Sequence, residues 1–303
     1  NSGTLYGATG TTIRAGGALD NSDGQIGTGS GAVSVSAGSV ANSRGKIIAS
    51  SGGLSLTAAG DIDNSDGTLS ARGGALSVSG QALTNNGSGV IYASGPLTAT
   101  LARYNAAQGA SLASDATINL ITSGSVQNQG LVQSANAMSI KAESGLDNGS
   151  EGRIIASDGN LDISAQGSGL NNDGKIGTVN TGTVQVRAAE MTGAGLMQSA
   201  DGLDIEAVGN VAMTGSLLAG RGDLTLSFDD FSSSGEIGAQ AGALRLSSRN
   251  TLRNSGTLYG ATGTTIRAGG ALDNSDGQIG AGSGAVSVFA GYVANTRGRI
   301  IAS

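Results

Sequence analysis

The sequence predicts an all-β fold, a parallel β-helix in which short strands wind round one core, and three observations carry that prediction. One phrase recurs about every 21 residues, apolar and polar residues alternate in runs of three to five between its copies, and aromatic residues are almost absent. The phrase reads AGGALDNSDGQIG from Ala15 to Gly27 and returns unchanged from Ala268 to Gly280. Looser versions begin at Val40 (VANSRGKI), Asp61 (DIDNSDGTL), Ala82 (ALTNNGSGVI), Gly145 (GLDNGSEGRI) and Gly169 (GLNNDGKIG), and counting all of them gives about 15 coils.

The period from Gly45 to Ser65, GKIIASSGGLSLTAAGDIDNS, holds three alternating runs, KIIA, LSLTA and DIDN, parted by Ser/Gly and Ala/Gly corners. Alternation broken by glycine is a strand signal, and no apolar period of 3.6 residues persists long enough for a helix. Each coil is therefore three short strands, with Ile47, Leu54, Leu56, Ala58 and Ile62 inward and Ser55, Thr57 and Asp61 outward. About 15 coils at the ~4.8 Å strand spacing make one elongated unit of roughly 70 Å, read as a single continuous domain over 1–303. A leucine-rich repeat has a similar period, but it needs a leucine-dense consensus, and its convex side would here be Ser/Gly. Both ends fall in mid-repeat. That reads as a piece of a longer array, a monomer whose unpaired strand edges favour end-to-end association.

Composition narrows the function. With 54 Gly, 1 Pro, 38% hydrophobic and 3% aromatic residues, the core must be Leu, Ile, Val and Ala, regularly spaced as no disordered linker would have them. A net charge of −6 with scattered Arg and Lys leaves no electrostatic footprint for nucleic acid or an anionic membrane. No apolar run approaches the ~18 residues of a membrane span. Without cysteine there is no disulfide or thiolate chemistry.

The asparagine of the phrase forms its own column: Asn21, Asn42, Asn64, Asn85, Asn128, Asn148, Asn172, Asn254, Asn274 and Asn295, with Asn1 joining by its match to Asn254. Spacing puts Met191, Met213 and Phe231 in the same register, which implies that the position points inward. Stacked interior asparagines can pass amide hydrogen bonds from coil to coil, so that a costly buried group satisfies itself. Two stretches depart from the pattern and read as a loop or distorted coil: Gly95 to Leu112, with the only proline, Pro96, and the corner at Asp229, Asp230 and Phe231.

A longer repeat overlies the short one. Residues 1–50 match 254–303 at an offset of 253, about 12 coils, with five differences: Thr28/Ala281, Ser36/Phe289, Ser39/Tyr292, Ser43/Thr296 and Lys46/Arg299. Duplication of whole coil blocks suits a modular rod. By the alternation that buries Val286 and Val288, Phe289 faces outward, and with Tyr292 it forms a candidate contact patch.

Parallel β-helices include polysaccharide-cleaving enzymes, which need a unique cluster of carboxylates and basic residues. Asp23, Asp66, Asp173 and Asp276 instead recur in x-D-G corners, where Asp before Gly is explained by the turn. No catalytic, cofactor-binding or metal-binding residue is read: histidine and cysteine are missing, and GGALDNSDG lacks the glycine and aspartate spacing of a calcium-binding nonapeptide. The arginines Arg245, Arg249 and Arg253 read as solvated surface.

The runs GALDNSDGQIG, VANSRGKIIAS and GLDNGSEGRIIAS resemble the filamentous haemagglutinin repeats of large two-partner secretion exoproteins. The resemblance covers essentially the whole chain and is weakest at Gly95 to Leu112 and Ala189 to Phe231. It implies a right-handed parallel β-helix, exported through an outer-membrane two-partner secretion transporter and folded at the surface of a Gram-negative bacterium. Within the family some members are adhesins that meet a host-cell or bacterial surface receptor, and others are contact-dependent growth inhibition proteins that carry a toxin. The reading that follows is a rigid adhesin stalk, then a toxin-delivery stalk, and last a polysaccharide-active enzyme.

Overall fold

The computed structural model describes residues 1–302; Ser303, the last position of the second duplicated block and of the 1–303 span read as one domain, lies outside them. The described residues form strands, turns and bends with no helix, and every strand pairing is parallel. The fold is a parallel β-solenoid of about 14 turns, roughly 21 residues per turn, against the 15 coils counted from the sequence. The chain divides into two compact units, residues 1–147 with 151–157, and residues 148–150 with 158–303.

In the first unit one face is built from eight strands, from Thr4–Gly7 through Gln25–Thr28 and Lys46–Ala49 to Arg153–Ala156, each pairing with its counterpart one coil on. Register puts Ile26 on Ile47 and Ile47 on Leu69, so one inward residue per coil builds a continuous aliphatic stack. The second face does the same with two residues per coil, Val33, Leu54 and Leu76 in one file and Val35, Leu56 and Val78 in the next. All are buried, while Ser55 and Thr57 between them face solvent, the alternation that a pleat requires. The third face is shortest, Ser39–Ala41 and Ile62–Asp63, because the chain turns there at the asparagine corner.

The second unit repeats this plan. Seven strands from Lys175–Thr178 to Arg299–Ala302 make its first face, and Ile237, Leu258 and Ile279 stack within it. Strands such as Leu203–Ala207 and Leu224–Phe228 make its second face, and Val211–Met213 and Phe231–Ser233 its third.

Three readings from the sequence need correction. Gly95 to Leu112 is neither a loop nor a distorted coil: Leu97–Ala106 is a ten-residue strand paired in parallel with Leu76–Asn85, and it carries the pairing unbroken round the corner between two faces. Pro96 sits just before the strand, where its carbonyl accepts from the Leu76 N–H and its missing N–H costs nothing. The corner at Asp229 and Asp230 is also regular, joining Leu224–Phe228 to Phe231–Ser233, and the rings of Phe228 and Phe231 stack across it at 4.9 Å. Of the three residues assigned to the asparagine column only Met213 occupies it. Met191 pairs with Leu170, and Phe231 with Val211 and Leu252, one pleat earlier. Gly193 and Ser233 hold the column in those coils, and neither is an apolar marker that spacing can follow.

Where the column would reach the coil after Asn85, Ala106 stands in register and Tyr104 fills the interior from the neighbouring file. The Tyr104 ring is fully buried and its hydroxyl has no hydrogen-bond partner. Burial pushes the phenol's pKa up, only partly offset by the nearby Asn85 amide. An unsatisfied buried hydroxyl costs about 1–3 kcal/mol. Tyr104→Phe is therefore expected to unfold at equal or higher temperature than the parent chain; a clear fall in the calorimetric midpoint would show that the hydroxyl is bonded after all.

Candidate functional site

The recurring asparagine corner is a four-residue turn closed by the glycine N–H on the asparagine carbonyl, Gly24 to Asn21, Gly45 to Asn42, Gly67 to Asn64 and Gly277 to Asn274, each at 3.0 Å. Its third residue takes the left-handed region in Asp23, Arg44, Asp66, Asp276 and Arg297, with φ between 55° and 64°. Aspartate tolerates that region, whereas arginine there is unusual. Asp173 departs from the other x-D-G corners: it has no positive φ, and its N–H turns to the Asn148 carbonyl. The glycine is fixed by contact, since a Cβ on Gly45 would lie 2.1 Å from the Asn21 carbonyl oxygen one coil back.

Inside the corner, Asn21 Nδ2 donates to Asn42 Oδ1 at 2.8 Å, Asn42 to Asn64 at 2.8 Å, and Asn64 to Asn85 at 2.9 Å. Each amide also donates to its own corner glycine carbonyl and to a strand carbonyl one coil on, Gly24 and Lys46 in the case of Asn21. Asn1 enters the run from below at 2.8 Å. In the second unit Asn148 donates to Asn172 at 2.8 Å, and Asn254 to Asn274 and Asn274 to Asn295 at 2.7 Å. Asn128 is buried too, and its Nδ2 reaches the Arg153 carbonyl. Asn295, in the last coil, is exposed. Gly193, Met213 and Ser233 part the two runs of the second unit.

Outside the corner, charges pair from coil to coil. Arg44 grips Asp23 through Nε and Nη2, both at 2.8 Å, and Arg297 grips Asp276 in the same way at 2.6 and 2.8 Å. Arg221 pairs with Asp201, Arg249 with Asp229, and Arg245 with Asp223. Other aspartates staple coils by accepting backbone N–H groups: Asp66 from Ser88, Asp173 from Ala194 and Asp230 from Thr251. These contacts hold the carboxyls below the usual range, Asp23 and Asp276 chiefly through their arginines, Asp66 and Asp173 chiefly through the backbone, and Asp230 chiefly through the Thr251 hydroxyl. At Asp63 burial pushes upward, but the hydroxyls of Ser65 and Ser43 outweigh it.

One surface stands out in the second unit. Along its third face the outward residues shrink to Ala212 and Ser232, which opens a shallow groove of about 390 Å³ between hydroxyls of Thr214, Ser234 and Ser255. Arg253 rises at its edge and, among the described residues, makes no hydrogen bond or ion pair, although its charge helps hold Asp230 and Asp273 low. Phe289 and Tyr292 are 52% and 67% exposed, and the Arg267 guanidinium lies 4.4 Å above the Phe289 ring. Among the described residues no three His, Cys, Asp or Glu side chains gather to hold a metal ion.

The haemagglutinin repeat model matches five stretches, residues 1–30, 28–87, 92–165, 156–256 and 239–302. The chain belongs to the haemagglutinin repeat family. No curated protein and no solved structure matches it. Haemagglutinin repeats mark structural and adhesin-like proteins that are secreted and surface-exposed, and the family is associated with two-partner secretion.

The clamps and the groove escaped the sequence reading. Aligning NSDG with NSRG and NTRG would have put Arg44 over Asp23 and Arg297 over Asp276, but the groove arises from small outward residues, which give no positive signal.

Asn42→Ala strands Asn64 Oδ1 without its donor and leaves Asn21 Nδ2 only its longer bonds to the Gly24 and Lys46 carbonyls, and should cost about 1–3 kcal/mol, chiefly for the stranded oxygen. Asn295→Ala should cost far less, and equal losses in urea unfolding would argue against a cooperative column. Carboxyls lowered in the folded state contribute stability that is present above the unfolded aspartate pKa and lost as pH falls through the folded values. Thermal midpoints should therefore hold from neutral pH down to about pH 5 and fall below about pH 4; a flat profile through that window would show that the staples do not stabilise.

Proposed function

We propose that this chain is a stalk segment of a large secreted adhesin, reaching the surface of a Gram-negative bacterium through an outer-membrane two-partner secretion transporter and holding binding regions away from the cell. The observation that supports this reading most is the division between inside and outside in the duplicated blocks. Of the five differences, Ser36/Phe289, Ser39/Tyr292, Ser43/Thr296 and Lys46/Arg299 fall on outward positions, and only Thr28/Ala281 replaces a buried residue. The interior repeats one shape while the surface is free to vary, as a spacer requires. No step of chemistry is asked of any side chain.

A second reading rests on Phe289 and Tyr292. The first block has serine at both positions, so the second has acquired two exposed rings on the same backbone plan. They form a contact patch for a surface receptor.

The chain and its Phe289→Ser/Tyr292→Ser variant should be compared for saturable binding to epithelial and bacterial cells. A spacer gives background binding for both. Saturable binding lost in the variant would replace the spacer reading by the contact patch, and saturable binding kept in it would overturn both. The C-terminal sequence of the parent protein separates adhesion from toxin delivery: a nuclease-like or pore-forming tail followed by an immunity gene would assign the stalk to growth inhibition.

A further inference from the structure

Only two asparagines in the chain precede glycine, Asn86 and Asn148, and both sit in the triplet Asn-Gly-Ser. An asparagine followed by glycine is the pair most prone to lose its amide, because the glycine nitrogen can swing onto the side-chain carbon with no Cβ in the way. The fold treats the two in opposite ways. Asn148 is fully buried, and its Nδ2 is committed to Asn172 Oδ1 at 2.8 Å and to the Lys175 carbonyl at 3.3 Å. Asn86 lies next to the column rather than in it, partly exposed, in a corner one residue longer than that of the preceding coil. Among the described residues neither its side-chain amide nor the Gly87 N–H has a hydrogen-bond partner. Gly87 is at φ 59°, and a Cβ there would lie 2.3 Å from Asp66 Oδ1, so a bulkier residue at the attacking position would have to push that carboxylate aside.

We propose that Asn86 is a self-modification site, where the folded chain converts a side-chain amide into a carboxylate with water as its only co-reactant. The Gly87 nitrogen attacks Asn86 Cγ, the new C–N bond closes a five-membered imide, and the side-chain nitrogen departs as ammonia with the Gly87 proton. Water then opens the ring. Attack at the side-chain carbonyl gives aspartate; attack at the main-chain carbonyl gives isoaspartate, with the backbone running through the former side chain. The net change is amide plus water to carboxylate plus ammonium.

The product reshapes its corner. The Asn86 carbonyl now accepts both the Asp66 and the Gly89 N–H at 3.0 Å; in the isoaspartate product that carbonyl becomes the free carboxylate, and the chain runs on through Cγ, which lengthens the turn by one main-chain atom. The new charge also stands beside the Asp66 carboxylate, which is already committed to the Ser88 N–H and hydroxyl. Each molecule thereby records its age as one added negative charge at a fixed coil.

The test is peptide mass mapping of the full chain during storage in mildly alkaline buffer, with isoaspartate read by enzymatic methyl transfer. Asn86 should convert about tenfold or more faster than Asn148, which reacts only after local opening. In concentrated urea the two should convert at similar rates, since their local sequences match. Asn86→Gln should abolish isoaspartate formation at that position and leave the slow conversion of Asn148 unchanged. An intact Asn86 amide, equal conversion at both sites in the folded chain, or a rate difference that survives in urea would each overturn the proposal.

Discussion

The interaction on which the rest depends is the amide-to-amide hydrogen bond between stacked asparagines. A buried carboxamide carries two donors and an acceptor, and leaving them dry would cost more than a coil's aliphatic contacts could readily offset. Asn42 avoids this by receiving from Asn21, donating to Asn64 and closing on the carbonyls of Gly45 and Thr68. Those bonds also fix where the corner glycine must sit, hence where each short third-face strand ends and the next first-face strand begins. Aliphatic stacking supplies the bulk of the stabilisation, but it is tolerant of register. The asparagine is not, and where it is present it pins the corner.

The legible part of the fold was whatever recurred. The period of Asn21, Asn42 and Asn64 and the alternation of Leu54 to Ala58 are enough to specify coil, strand and core, because each coil must present the same surface to its neighbour. Single departures were harder to read. Pro96 looked disruptive because the ladder position it occupies, one that asks for no donor, is visible only in three dimensions. Met191 and Phe231 were displaced by one pleat because Gly193 and Ser233, the true occupants of the column, carry no hydrophobic signal. Arg253 and its groove depend on what its neighbours lack, and a pattern search finds residues rather than gaps.

Surface and interior also obey different rules within one coil. Inward positions meet their own kind above and below, so a change must suit two neighbours at once. Outward positions meet water, and the exchange of Ser36 for Phe289 is absorbed by an arginine laid over the ring. The coil-to-coil aspartates lie between these extremes, exposed yet tied to the ladder through backbone N–H groups.

The asparagine bonds all run in one direction, from lower-numbered coil to higher. Their dipoles add, so that each uninterrupted file behaves as a small electret, with hydrogens presented at one end and oxygens at the other, much as a helix does along its axis. Ala106 ends the first file after five members, and Gly193 to Ser233 keep a later one from growing. The interior polarity is thereby reset at intervals. A chain of this kind can gain coils by the dozen without accumulating an ever larger internal field.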